Sequence, residues 1–253
     1  MKAIIFNSGI GKRMGEFTLT HHKSMAVLNN GETIFERQIR ILGENGIREF
    51  VITTGPFKEQ LEEVSKKFSD YQFHFVENPV YDQTNYIYSM FLAKEHFDDD
   101  FLLLHGDLVF DSLLVKAMLD DERGSICLIN ENKMLPEKDF KGRVQDGRLK
   151  EVSISIFDDD CYAFQPFYKL SKGDLLSWSN VVSDFISQGI NGVYAENALN
   201  TILGGMNIFA KSYANNYIDE VDNLDDYARV CAEIDDFEAK INGGGELCKR
   251  NKR

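Results

Sequence analysis

Apolar runs and helical stripes alternate along the first half of the chain. Lys2–Asn7 (KAIIFN), Phe50–Thr54 (FVITT), Gln72–Val76 and Phe101–His105 (FLLLH) read as strands. The last is expected to be buried on both faces, because its apolarity is unbroken. Between them, Thr33–Leu42 sets Ile34, Phe35, Gln38, Ile39 and Leu42 on or near one stripe, with Gly46 closing the helix. Glu59–Phe68 and Tyr86–His96 read as further helices, and Asp111 as the cap of another at Ser112–Leu119. A glycine-rich stretch, Ser8–Gly15, follows the first strand at once. Strand, glycine loop, helix, strand, helix, strand is the order of a mostly parallel sheet flanked by helices.

The second half is less regular. Ser125–Asn130 and Leu149–Phe157 read as strands on either side of a polar segment, LPEKDFKGR. Ser171–Gln188 and Tyr194–Leu203 read as helices, and Asp225–Ile241 as a final helix stopped by Gly243–Gly245. Without an internal repeat or a Pro- or Ser-rich linker, one domain over 1–242 is expected. It divides into a nucleotide-binding half (1–122) and an acceptor-side lobe with the closing helix (123–242), followed by a frayed basic tail (243–253).

Composition changes this picture mainly by exclusion. The 253 residues carry 28 Lys and Arg against 41 Asp and Glu, a formal charge of −13. Such a balance argues against a nucleic-acid or anionic-membrane binder, both of which rely on basic surface. No segment approaches the roughly 18 apolar residues of a membrane span, and the N-terminus lacks the pattern of a secretory signal. Four scattered cysteines with no CxxC pair read as inert thiols in a reducing compartment. A cytoplasmic protein is expected, with enough Phe and Tyr for an apolar homodimer surface.

The glycine loop, Asn7-Ser8-Gly9-Ile10-Gly11-Lys12-Arg13-Met14-Gly15, is the first candidate for chemistry. Glycines after a buried strand let backbone N–H groups approach phosphate oxygens. The spacing matches neither G-x-G-x-x-G nor a Walker loop, and an ordinary tight turn stays open. Lys12, Arg13 and Lys23 would suit a triphosphate, although Lys23 also reads as a solvated lysine. Asp107, at the end of the fourth strand in HGDLVFD, is placed to hold a hard divalent metal or to serve as a turn residue. The acidic run IDEVDNLDDY offers a second carboxylate.

Together, KAIIFNSGIGKRMGEFT, Lys23, GETIFERQIRIL and HGDLVFD resemble the nucleotidyltransferases that activate sugar phosphates and phosphocholine. Their opening reads L-A-A-G-x-G-x-R-[ML]-x-x-x-T, followed by P-K. ENPVYDQTNYIYSMFLAK looks like the small phosphocholine and aminoethylphosphonate cytidylyltransferases, and IDEVDNLDDYARV is similar to their terminal I-D-[ST]-x-x-D-[YL] segment. The resemblance covers Met1 to about Val230.

It implies an α/β, Rossmann-like nucleotidyltransferase fold with a mostly parallel central sheet and an acceptor-side lobe. It places Phe6, Asn7, Ser8 and Gly9 at the base and ribose, Gly11 and Arg13 at the triphosphate, and Lys23 at the phosphate-binding lysine. Asp107 and Asp222 match the Mg2+ ligands, and Tyr81, Asn85 and Ser89 fall in the block lining base and ribose. On the acceptor side fall Tyr162, Phe164, Phe167, Tyr168, Tyr194, Glu196 and Asn197, although most of these aromatics also read as core. Lys138, Lys141 and Arg143 could meet an acceptor's phosphate, or could lie in a solvated loop. Two departures stand out: Asn7-Ser8 replaces Ala-Ala, and His22 replaces the proline before the lysine.

The activity implied is transfer of CMP from CTP to a small phosphorylated zwitterionic acceptor, of phosphocholine or phosphoglutamine type, with release of pyrophosphate. Relatives of this kind serve surface polysaccharide and capsule decoration. Competing readings are a sugar-1-phosphate nucleotidyltransferase using UTP or dTTP, and a non-catalytic nucleotide sensor.

Overall fold

The computed structural model describes residues 1–250, with side chains described through Ile241. Its strands are β1 (Lys2–Asn7), β2 (Glu49–Thr54), β3 (Gln72–Glu77), β4 (Phe101–His105), β5 (Leu108–Phe110) and β6 (Ser125–Asn130). They continue as β7 (Lys141–Gln145), β8 (Arg148–Ser153), β9 (Cys161–Leu170), β10 (Ile208–Ser212) and β11 (Ile218–Glu220). The helices are α1 (Ile34–Glu44), α2 (Lys58–Ser65), α3 (Tyr86–Ala93), α4 (Ser112–Leu119), α5 (Lys172–Ser187), α6 (Ala195–Asn200) and α7 (Leu224–Arg250). None among the described residues is long and apolar enough to cross a membrane.

One nine-stranded sheet runs in the order β3-β2-β1-β4-β9-β6-β10-β8-β7, and a separate ribbon pairs β11 with β5. The pairings make β9 and β8 the strands that run against the other seven. The expectation of a mostly parallel sheet therefore holds.

Alternation along the central strands supplies two cores. Ile4, Phe6 and Leu103 face α3, α5 and α6, where they meet Ile87, Met90, Trp178, Val182 and Leu199. Ala3, Ile5, Leu102 and Leu104 face the opposite way, onto Phe35, Ile39, Leu42, Leu61 and Met118 of α1, α2 and α4. Each Leu, Ile, Val, Phe or Met among them, fully buried, contributes about 1.5–3 kcal/mol of transfer free energy. The α1 stripe starts from a capping box: Glu36 N–H donates to Thr33 Oγ1 at 3.1 Å, and Thr33 N–H to the Glu36 carboxylate at 2.8 Å. A third cluster, including Met14, Leu28, Val109, Val221, Val230 and Ile234, packs α7 and the β5–β11 ribbon beneath the loops that carry Arg13 and Lys23.

Several elements differ from the pattern-based reading. β5, β7, β9, β10 and β11 were not anticipated. β9 is the most consequential, being ten residues long and central in the sheet. It contains Pro166, which a central strand does not normally admit. The β6–β9 register explains the exception: Cys127 lies opposite Tyr168 but Leu128 opposite Gln165, so Pro166 and Phe167 fall in a bulge. Pairing with β4 stops at Leu104–Phe167, so the missing N–H of Pro166 breaks no ladder bond there. At the C-terminus, α7 runs on to Arg250 through Gly243–Gly245, which therefore do not stop it. Residues 251–253 of the expected basic tail lie outside the described residues.

Candidate functional site

The carboxyl ends of β1 and β4 open into two adjoining cavities of about 330 Å³ each, where ligands of open α/β sheets gather. The first is lined by Ser8, Gly9, Gly11, Lys12, Tyr81, Asn85 and Ser89, with Asn78, Thr84 and Tyr86. The second continues along Phe6, Lys12, Arg13, Lys23, His105, Asp107, Tyr194 and Asp222. Residues expected at base, ribose, triphosphate and metal thus converge from the strand ends, α3 and the segment after β11.

Beneath the first cavity runs a buried chain of polar side chains. Asn78 Nδ2 donates to Ser89 Oγ at 3.1 Å, Ser89 to Ser8 Oγ at 2.9 Å, and Ser8 to Thr53 Oγ1 at 2.9 Å. The serine that replaces an alanine is thereby satisfied, and it fixes the glycine loop to β2 and α3. Asn7, only 2% exposed, projects instead over Gly106. A Cβ on Gly106 would stand 1.7 Å from Asn7 Oδ1, so a larger residue there would displace the Asn7 side chain. Both side-chain polar atoms of Asn7 are buried without a partner.

At the floor of the second cavity, Lys23 Nζ lies 2.6 Å from Asp107 Oδ2 and 3.0 Å from Asp222 Oδ1. Arg13 Nη2 reaches Asp222 Oδ2 at 2.8 Å while remaining largely exposed. Burial opposes the charge on Lys23, but the two aspartates outweigh it and hold its pKa above the usual lysine value. Burial likewise opposes ionisation of Asp107, and Lys23 and His105 bring its pKa below the usual carboxylate value. Gly11, at φ +68°, packs the glycine loop directly on the lysine: a Cβ there would meet Lys23 Cβ at 2.9 Å.

Asp107 Oδ1 is buried and has no hydrogen-bond partner. An unsatisfied carboxylate oxygen beside a second carboxylate is the donor set of a hard divalent cation, so Asp107 and Asp222 fit magnesium. Beyond them, a cavity of about 150 Å³ is lined by Lys138, Asp139, Phe140, Tyr194 and Glu220 together with Asp107 and Asp222. Glu220 was not singled out in the sequence. Burial, followed by the charges of Asp107, Asp222 and Asp139, raises its pKa well above the usual value. The available signal was its spacing, two residues before Asp222 on an extended segment, which puts both on one side.

The remaining acceptor-side residues fall elsewhere. Glu196 is 1% exposed and accepts the phenol protons of Tyr86 and Tyr168, so it reaches the cavities only through Tyr86. Phe164, Phe167 and Tyr168 are core, and Tyr162 packs at the core's edge on β9. Asn197 is exposed on α6, away from these cavities. Lys141 is fully buried and donates to Pro136 O at 2.7 Å and Ile154 O at 2.6 Å. Arg143 is taken up by Glu151, Asp158 and Asp160. Of the three loop cations, Lys138 is the one that lines this 150 Å³ cavity.

Comparison with known proteins bears on this arrangement. The sequence profile of the MobA-like NTP transferase domain matches residues 3–137. The choline-phosphate cytidylyltransferase of Haemophilus influenzae is 27% identical over 249 residues, which is 92% of this chain and 97% of that protein. The CTP:phosphoglutamine cytidylyltransferase of Campylobacter jejuni is 28% identical over 160 residues, 60% of this chain and 62% of that one. Among solved structures, the CTP:phosphocholine cytidylyltransferase of Streptococcus pneumoniae superposes with a TM-score of 0.77 at 20% identity, covering 92% of this chain and 98% of that one.

Proposed function

Because this chain belongs to the MobA-like NTP transferase family, we propose that it transfers CMP from CTP to a small phosphorylated amine or amino acid. The observation that carries this reading is Lys23 bridging Asp107 and Asp222 at the floor of a cavity continuous with the glycine loop. A nucleotide sensor would have no use for two carboxylates beside the phosphate cations. The cytidylyltransferases of similar sequence and length support CTP as donor.

In the reaction, an acceptor phosphate oxygen attacks the α-phosphorus of CTP. The bond from that phosphorus to the oxygen bridging to the β-phosphate breaks, and pyrophosphate leaves. The attacking oxygen is already ionised near neutral pH, so no general base is needed. Alignment and charge neutralisation supply the catalysis. Lys12, Arg13 and the glycine-loop amides face the triphosphate, and Arg13 and Lys23 balance charge developing on the leaving group. Magnesium, held by Asp107 and Asp222, supplies further neutralisation at the phosphates when bound.

The acceptor-side cavity favours a cationic head group over a neutral sugar. Tyr194 and Phe140, whose ring centroids lie 4.9 Å apart, offer aromatic surface beside the Asp139 carboxylate. Aromatic faces and carboxylates together attract an ammonium group.

The test is pyrophosphate release in magnesium, crossing CTP, UTP, ATP and GTP with phosphocholine, aminoethylphosphonate, phosphoglutamine and glucose-1-phosphate. Turnover with CTP and a zwitterionic acceptor is expected. Turnover with UTP and glucose-1-phosphate would replace this reading by the sugar-phosphate one.

A further inference from the structure

His22 occupies the position before Lys23 and is 3% exposed. Its backbone, at φ −66° and ψ 143°, is one that proline could adopt, yet the side chain makes bonds that proline cannot. Ser24 N–H donates to His22 Nδ1 at 3.2 Å, capping the short helical turn Lys23–Met25. A backbone N–H can only donate, so Nδ1 carries no proton, and the Ser24 hydroxyl at 2.8 Å donates to it as well. The ring proton therefore sits on Nε2, which donates to the carbonyl oxygen of Asn7 at 2.7 Å. Asn7 ends β1, immediately before the Ser8–Gly9 backbone that lines both cavities. On the other side of the ring, one residue along the chain, Lys23 bridges the two carboxylates. The approach to this turn is also fixed: His22 N–H donates to Gln60 Oε1 at 2.9 Å, and Gln60 Nε2 to Thr20 O at 2.8 Å.

We propose that His22 is a positioning residue which, through the Nε2–Asn7 hydrogen bond, sets the place of the Lys23 ammonium relative to the nucleotide-binding backbone. One imidazole spans two segments that no covalent stiffness joins, and that must stay in register for Lys23 to meet phosphates resting on the Ser8–Gly11 loop. Where the family pattern stiffens the chain before the lysine with a proline, this chain uses a side-chain tie.

The inference rests on the nucleotidyl-transfer reading, and the experiment separates the two. His22→Asn keeps an oxygen that can cap Ser24 but cannot reach Asn7. His22→Gln keeps a donor at the reach of Nε2, and His22→Ala keeps neither. With CTP and the best acceptor, kcat is expected to fall about tenfold in H22A and H22N, the worth of one net hydrogen bond. H22Q is expected to stay within about threefold of wild type, and the KM for CTP to change little throughout. H22Q as slow as H22A would overturn the proposal, as would H22P with wild-type kcat, which would show that backbone conformation suffices. Nitrogen-15 NMR of histidine in the free protein needs no turnover: a proton on Nε2 supports the tie, and a proton on Nδ1 overturns it. Absence of wild-type turnover with a proton found on Nε2 would count against the proposed reaction and leave the tie standing.

Discussion

The phenol of Tyr86 donates its hydrogen bond to Glu196, a carboxylate 110 residues further along the chain. Tyr168 donates to the other oxygen of that carboxylate at 3.0 Å. The Tyr86 ring packs edge-on against His105 at 4.6 Å and tilted against Phe6 at 5.2 Å, forming wall for both large cavities. Burial, followed by the Glu196 charge, raises the pKa of both phenols well above the ordinary value, which keeps them donors. Glu196→Ala would leave two buried hydroxyls unpaired, at about 1–3 kcal/mol each. Urea unfolding should show a loss of about 2–6 kcal/mol, with the KM for nucleotide rising as Tyr86 loosens. Glu196→Gln, whose amide oxygen can still accept, should lose less than half as much.

Asp107→Asn removes charge where the neighbouring oxygen has no partner of its own. Turnover should fall about 10²–10³-fold, the scale on which a preorganised electrostatic group is felt. Nucleotide affinity should fall far less, since the glycine loop and the serine chain are untouched. Calorimetry with CTP alongside pyrophosphate release separates the two effects.

Acid should weaken the fold through His22. Burial, reinforced by the charge of Lys23 and opposed by the bond to Asn7 and the charge of Asp107, lowers the pKa of this ring from 6.5 to about 4. The folded pKa lies below the unfolded one, so the contribution is complete above pH 6.5 and is lost as pH falls through 4. Its full size is on the order of 3 kcal/mol. Urea unfolding at pH 7, 6, 5 and 4 should show the stability advantage of wild type over His22→Gln shrinking as pH falls.

Lys141 should act on the acceptor. Its ammonium ties Pro136 to Ile154, and the same loop carries Lys138, Asp139 and Phe140 into the cavity proposed for the acceptor. Lys141→Met leaves those carbonyls unpaired, which costs about 1–3 kcal/mol. Steady-state kinetics should show the acceptor's KM rising several-fold while that for CTP stays nearly level.

What could be read from the sequence follows from which interactions are local. β1, β2, β4 and α1 announce themselves through unbroken or 3.6-periodic apolar positions, and the glycine loop and Asp107 lie where strand ends place them. The proposed metal pair was recognisable only through resemblance, since nothing local distinguishes Asp222 from the other acids of its run. β9 was hidden because Pro166, Gln165 and Lys169 break its pattern, and the bulge that accommodates them exists only against β6. Glu196 read as acceptor-facing because the resemblance sets an acidic acceptor-side segment at that place, yet its partners come from α3 and β9 and enclose it. His22 showed only as a departure from the family's proline, and its role depends on a carbonyl fifteen residues earlier.

The place of β9 beside β4 has a consequence for any fragment of this protein. The nucleotide-binding strands look self-sufficient in sequence, but their outer rung, Phe101–His105, pairs on one side only with a segment synthesised some 60 residues later. A chain stopped near residue 122 would present FLLLH as an open, apolar, unpaired edge, the kind that recruits strands from other molecules. During synthesis that edge waits for β9 to arrive and close it. Such a fragment should aggregate, so a minimal nucleotide-binding unit has to include β9.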